Sequence, residues 1–96
     1  MRWVETIKIQ SATGREQTIL RELIFLGKEI INEPSSRGLF DVMVSSHASI
    51  PGCFAMMFFW DTDDPQPKGS LTGISLAQSL KTFGLVDHSV WIENHR

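Results

Sequence analysis

Apolar positions recur every second residue in four segments and at helical spacing in two, which predicts four strands and two helices. Residues 2–10 set Trp3, Ile7 and Ile9 on one face and Val4, Thr6 and Lys8 on the other, with Glu5 interrupting the apolar face. Thr13-Gly14-Arg15-Glu16 reads as a capping box, in which the Thr13 hydroxyl and the Glu16 carboxylate each satisfy a free backbone N–H. The helix it opens is expected to reach Ile31 or Asn32, with Asn32 as its left-handed stop and Pro34 blocking continuation. Its apolar arc runs through Ile19, Leu20, Leu23, Ile24, Ile30 and Ile31, while Phe25 stands alone on the polar side. Gly27 lies inside the arc, where the missing side chain lets helix and sheet approach closely.

Residues 39–46 alternate Phe40, Val42 and Val44 against Leu39, Asp41 and Met43, giving a second strand. A hairpin-like connection, 47–52, leads into Cys53-Phe54-Ala55-Met56-Met57-Phe58-Phe59-Trp60, which has no polar residue. As a strand it is apolar on both faces, one carrying Phe54, Met56, Phe58 and Trp60 and the other Cys53, Ala55, Met57 and Phe59. The pattern alone leaves open which set meets the helices. Residues 61–69 are loop, and Ser70 caps a second helix expected to run through Phe83 and to stop at a left-handed Gly84. Val86, His88, Val90 and Ile92 then alternate with Asp87, Ser89, Trp91 and Glu93 as a fourth strand.

The order β-α-β-β-α-β predicts an α+β, ferredoxin-like domain spanning 1–96: an antiparallel four-stranded sheet ordered 4-1-3-2 with both helices on one face. The third strand is then central, as its doubly apolar character requires. Ile7, Ile9, Phe40, Val42, Val44, Val86, Val90 and Ile92 are expected to face the helices. Thr6, Lys8, Asp41, Met43, Ser89, Trp91 and Glu93 are expected on the far face, with one register of the third strand. At ~25 cal/mol per Å2, leaving those large apolar groups in water forgoes several kcal/mol, a large share of a small domain's stability. A homodimer joined through the far face of the sheet is therefore expected.

Nine Lys and Arg against eleven Asp and Glu leave a formal charge of -2, and the basic residues form no stripe, which argues against nucleic acid. Cys53 is the only cysteine, so no intrachain disulfide is available; it reads as a small buried hydrophobe in a cytoplasmic protein. The N-terminal residues lack the apolar run of a secretory signal, and eight apolar residues fall short of the ~20 that span a bilayer. His47, His88 and His95 have no metal-ligand spacing, and Asp61, Asp63 and Asp64 lack the Gly and Glu of a calcium loop. Without a nucleophile elbow or a phosphate-binding glycine motif, no cofactor and no metal are expected.

Over nearly its whole length, through the element order, the Phe58-Phe59-Trp60-Asp61 end of strand 3 and the final Val90-Trp91-Ile92-Glu93, the chain resembles the dimeric α+β barrel superfamily. The likeness is to its antibiotic-biosynthesis-monooxygenase-like branch. That resemblance implies a homodimer with packed sheets and a small-molecule pocket between sheet and helices in each subunit. It also implies a range of activities: cofactor-free oxygenation of phenols or quinols, haem degradation, isomerisation, or none assigned. The haem-degrading pattern of a strand-1 Asn, a Trp ending strand 3 and a His on the second helix is met here only by Trp60, which argues against that activity.

Glu5 and His88 are the candidate catalytic residues, because both interrupt the helix-facing sets of strands expected to be neighbours. Side by side, a carboxylate and an imidazole can exchange protons with a phenol or enol. Trp60, able to stack on an aromatic ring, and Thr6 are the candidate ligand-binding residues. Two readings follow. One is a homodimer binding a small hydrophobic or aromatic molecule, with cofactor-independent monooxygenase or isomerase activity; the other is a non-catalytic assembly or protein-interaction module.

Overall fold

The structure, a computed structural model, describes residues 1–12, 14–34 and 36–95. Its elements are β1 (Arg2–Ser11), α1 (Glu16–Ile31), β2 (Leu39–Ser46), β3 (Cys53–Asp61), α2 (Leu71–Leu80) and β4 (Gly84–Ile92). The strands form one antiparallel sheet in the order β2-β3-β1-β4, the expected 4-1-3-2 arrangement. Helix α1 packs on β2 and β3, and α2 on β4 and β1.

Helix-facing residues of the central strands supply the core. Ile7 and Ile9 of β1 and Met56 and Phe58 of β3 are buried against Ile19 and Leu23 of α1 and Leu76 and Leu80 of α2. In β3 the large set, Phe54, Met56, Phe58 and Trp60, is buried, whereas Cys53, Ala55, Met57 and Phe59 are half-buried on the far face. That division follows from the register: Phe58 and Met56 lie opposite Val42 and Val44 of β2, whose side chains meet α1. Gly27 allows the contact, since a Cβ there would come within 3.2 Å of Val42 Cγ1.

Several local expectations are corrected. A register shift between Leu39 and Asp41 bulges β2 at Phe40 and turns its ring to the far face, 6.3 Å from Phe59, while Leu39 takes the helix-facing place opposite Trp60. Ile92 keeps its register opposite Trp3 yet is half exposed, because it ends an edge strand. Asn32 stays right-handed and instead donates its side-chain amide to the Lys28 carbonyl at 2.9 Å. Arg15 is the N-terminal cap of α1 and makes no side-chain cap bond; the Glu16 carboxylate accepts from the Gly14 amide, and the expected Thr13 bond lies outside the described residues. Helix α2 stops at Leu80, where three bonds of i to i−3 type wind the chain through Lys81, Thr82 and Phe83, and Gly84 opens β4 opposite Ser11 rather than ending the helix.

The far face carries Phe40, Met43, Leu85 and Trp91, all exposed, around the half-buried Val4, Met57 and Phe59. No helix is long and apolar enough to cross a membrane among the described residues.

Candidate functional site

Glu5 stands at the middle of β1 on the helix-facing side and is completely buried. Its nearest partners arrive from three other elements. Trp60, near the end of β3, donates its indole N–H to Glu5 Oε1 at 3.2 Å. Ser70, the cap of α2, donates its hydroxyl to the same oxygen at 2.8 Å and its backbone amide to Oε2 at 3.0 Å. His88 of β4 places Nε2 2.6 Å from Oε2. A carboxylate oxygen accepts, so Nε2 carries the hydrogen of this bond.

The carboxylate thus sits at the N-terminal end of α2, where unpaired N–H groups and the helix dipole favour negative charge. Ser70 relays the contact, since its hydroxyl also accepts the Gly73 amide at 2.9 Å. Glycine is required at position 73, because a Cβ there would fall on the Glu5 carboxyl group, and Gly69 (φ +105) leaves no room for one against His88. Burying a carboxylate without partners is costly; four donors on two oxygens offset that cost.

Beside this cluster, Trp60 stacks on Trp3 across the β1–β3 pair, with ring centroids 5.3 Å apart and planes 11° from parallel. Trp3 donates its indole N–H to Thr62 Oγ1 at 2.8 Å. Both indoles are therefore oriented by a hydrogen bond as well as by each other. They form the floor of a cleft of about 770 Å3 between the β3–α2 connection and the first turns of α2. Pro67, Leu71 and Ile74 give its apolar walls, and Arg37 and Lys68 its basic groups.

Of the residues singled out from the sequence, the structure brings Glu5, His88 and Trp60 into one hydrogen-bonded group. Thr6 stands on the opposite face of the sheet, paired with Met57 and Ser89. Ser70, which the sequence offers only as a helix cap, belongs to the same group, and Trp3, which it offers only as an apolar-face residue of the first strand, stacks on the group's Trp60. The Thr13-to-Glu16 style of signal could not reveal Ser70's second role, which depends on where α2 lands. Trp3 and Trp60 were legible as a pair only once the register of β1 against β3 was known. Among the described residues, no three His, Cys, Asp or Glu side chains converge as a metal would need.

A second cleft, of about 460 Å3, lies on the far face between Val4, Phe40, Phe59 and Trp91, with Arg2 stacked 5.0 Å from the Phe40 ring centroid.

No family model matches the chain, and no curated protein matches it. Solved structures do. A candidate antibiotic biosynthesis monooxygenase from Deinococcus radiodurans superposes with a TM-score of 0.72 at 16% identity, covering 98% of this chain and 94% of that one. Another such candidate, from Bordetella bronchiseptica, gives 0.66 at 13% identity, covering 98% of each chain. A dimeric ferredoxin-like protein from an uncultured marine organism gives 0.59 at 13% identity over 99% of this chain and 91% of that one. At such identities the likeness is one of backbone architecture, and it agrees with the element order and sheet order found here. This chain shares the ferredoxin-like β-α-β-β-α-β fold of the solved structures described as candidate antibiotic biosynthesis monooxygenases.

Proposed function

We propose that the protein is a homodimer, joined through the far face of its sheet, that binds a small hydrophobic or aromatic molecule over the Trp3–Trp60 floor. The cleft carries this reading: it is roomy enough at about 770 Å3, apolar on its walls, and floored by two indoles held in place by hydrogen bonds. Val4, Phe40, Phe59 and Trp91, which line one cleft of the far face, support the dimer, since contiguous apolar surface of this kind marks an interaction face. A structural neighbour described as dimeric points the same way.

The chemistry we assign to the site is cofactor-independent, in the class of a monooxygenase or isomerase acting on a phenol or enol. Neither His88 nor Glu5 lines the cleft, whose wall at Gly69 covers the His88 ring, so this chemistry requires the Gly69 turn to shift. His88 would then take the substrate proton, with Glu5, bonded to Nε2, holding the ring and stabilising the cation that forms. A phenolate so generated can give an electron to dioxygen or be reprotonated at carbon.

One observation favours a second reading, a non-catalytic assembly or protein-interaction module. Glu5 has no exposed surface and its oxygens already accept four hydrogen bonds, the arrangement of a structural tie.

Native mass spectrometry of the purified chain tests the reading, because it reports subunit number and any retained small molecule together. A dimer carrying a small aromatic compound is the expected result. A monomer, or a dimer to which neither aromatic acids nor aromatic amides bind, would overturn it.

A further inference from the structure

We infer that the ligand of the Trp3–Trp60 cleft is an aromatic anion, a planar ring carrying a carboxylate or phenolate whose charge Arg37 and Lys68 take up. The inference rests on the cleft being the ligand site. The two cations reach it from different connections, Arg37 from the one between α1 and β2 and Lys68 from the one between β3 and α2. Backbone bonds bring both there. The Gly38 carbonyl accepts the Asp61 amide at 2.8 Å, which lays the first connection along the start of the second. The Gly69 amide donates to the Gln66 carbonyl at 2.9 Å and closes a tight turn that holds Lys68.

Neither cation has an ion-pair partner among the described residues. Asp64 is the acid of the lining, and its charge is partly engaged: Gln66 Nε2 lies 3.4 Å from its Oδ2 and 3.1 Å from its carbonyl oxygen. Glu5 is near in space, yet it is sealed behind Ser70 and Trp60 and its oxygens are already taken. The lining therefore offers a ligand two positive groups against one negative. Between apolar walls such a charge pattern acts with less screening than on open surface. The guanidinium of Arg37 suits the task twice over, since it can pair with a carboxylate through two N–H groups and stack on a ring.

Both cations are exposed, so each contributes modestly, and together they are expected to favour an anion by about five- to tenfold at low salt. The test uses the 15N-labelled full chain, 2-naphthoate, and its neutral counterpart 2-naphthamide, followed through the indole N–H signals of the three Trp residues. Naphthoate is expected to move the signals of Trp3 and Trp60, leave Trp91 in place, and bind about five- to tenfold more tightly than the amide. That advantage should fall as salt rises and vanish in the double variant R37Q/K68Q, which should bind the two compounds about equally. Equal affinity for the two compounds, or a naphthoate preference untouched by R37Q/K68Q, would overturn the charge assignment while leaving the cleft as a binding site. Shifts confined to Trp91, or none with either compound, would overturn the cleft reading and this inference with it.

Discussion

Replacing Glu5 tests whether the buried carboxylate is the tie that joins β1, β3, β4 and the start of α2. In Glu5→Ala, the Trp60 indole N–H, the Ser70 amide, the Ser70 hydroxyl and His88 lose their shared acceptor inside the protein. Each buried donor left without a partner costs about 1–3 kcal/mol, but water admitted to the space recovers part of that. A net loss of about 3–5 kcal/mol is expected, in line with the cost of removing one member of a buried pair. In Glu5→Gln the shape survives and one oxygen remains. With the amide nitrogen at the Oε2 position, His88 can turn tautomer and accept, which leaves the Ser70 N–H as the unpaired group. One orphaned donor sets the expected cost at about 1–3 kcal/mol, below that of the alanine variant. Urea unfolding followed by tryptophan fluorescence measures both, at one protein concentration so that association does not enter the comparison. For a chain of this size the alanine variant should also melt more than about 10 °C below the parent. If both variants unfold within about 0.5 kcal/mol of the parent, the range of an ordinary surface change, the carboxylate is no tie.

Two further outcomes follow from close contacts. Gly73→Ala should be among the most damaging single changes, a loss of about 3 kcal/mol or more, because the added methyl falls on the Glu5 carboxyl and the strand behind cannot give way; thermal melting checks it, and a stability near the parent's would contradict the contact. Gly27→Leu should cost about 1–3 kcal/mol by forcing α1 off Val42 and Val44, despite leucine's better helix propensity; a neutral or stabilising result in urea would mean the helix is free to move outward.

Much of the architecture was legible because it depends on local period and order. Alternation fixed the faces of β1 and β4, so Glu5 and His88 could be placed on one side of adjacent strands, and they meet there. What stayed hidden depends on a single residue or on distant packing. The extra residue at Phe40 leaves no mark in an alternating pattern, because β2 reads equally well with or without a bulge until its partner's register is known. The doubly apolar β3 gave no preference between its two faces, and only Val42 and Val44 beneath α1 resolve the choice. The cleft is built from the α1–β2 and β3–α2 connections, whose conformations no periodicity encodes. Ser70 shows the same limit. Its capping role is written in the residues that follow it, whereas its bond to Glu5 spans 65 positions of chain.

The sheet order also governs when this chain can fold. β1 lies between β3 and β4, so it has no neighbour in the sheet until Cys53–Asp61 has been made, and its second neighbour, β4, follows only after α2. At translation rates of about 5–20 residues per second, Trp3, Ile7 and Ile9 stay unpaired for several seconds. With two of the three strand pairings, those of β1, between segments far apart in sequence, closure of the sheet is expected to be slow for a chain this short. The helix α1 and the β2–β3 hairpin can form beforehand. The Glu5 cluster, which needs β1, β3, α2 and β4 together, is then the last part to lock, and it reports on completion of the fold.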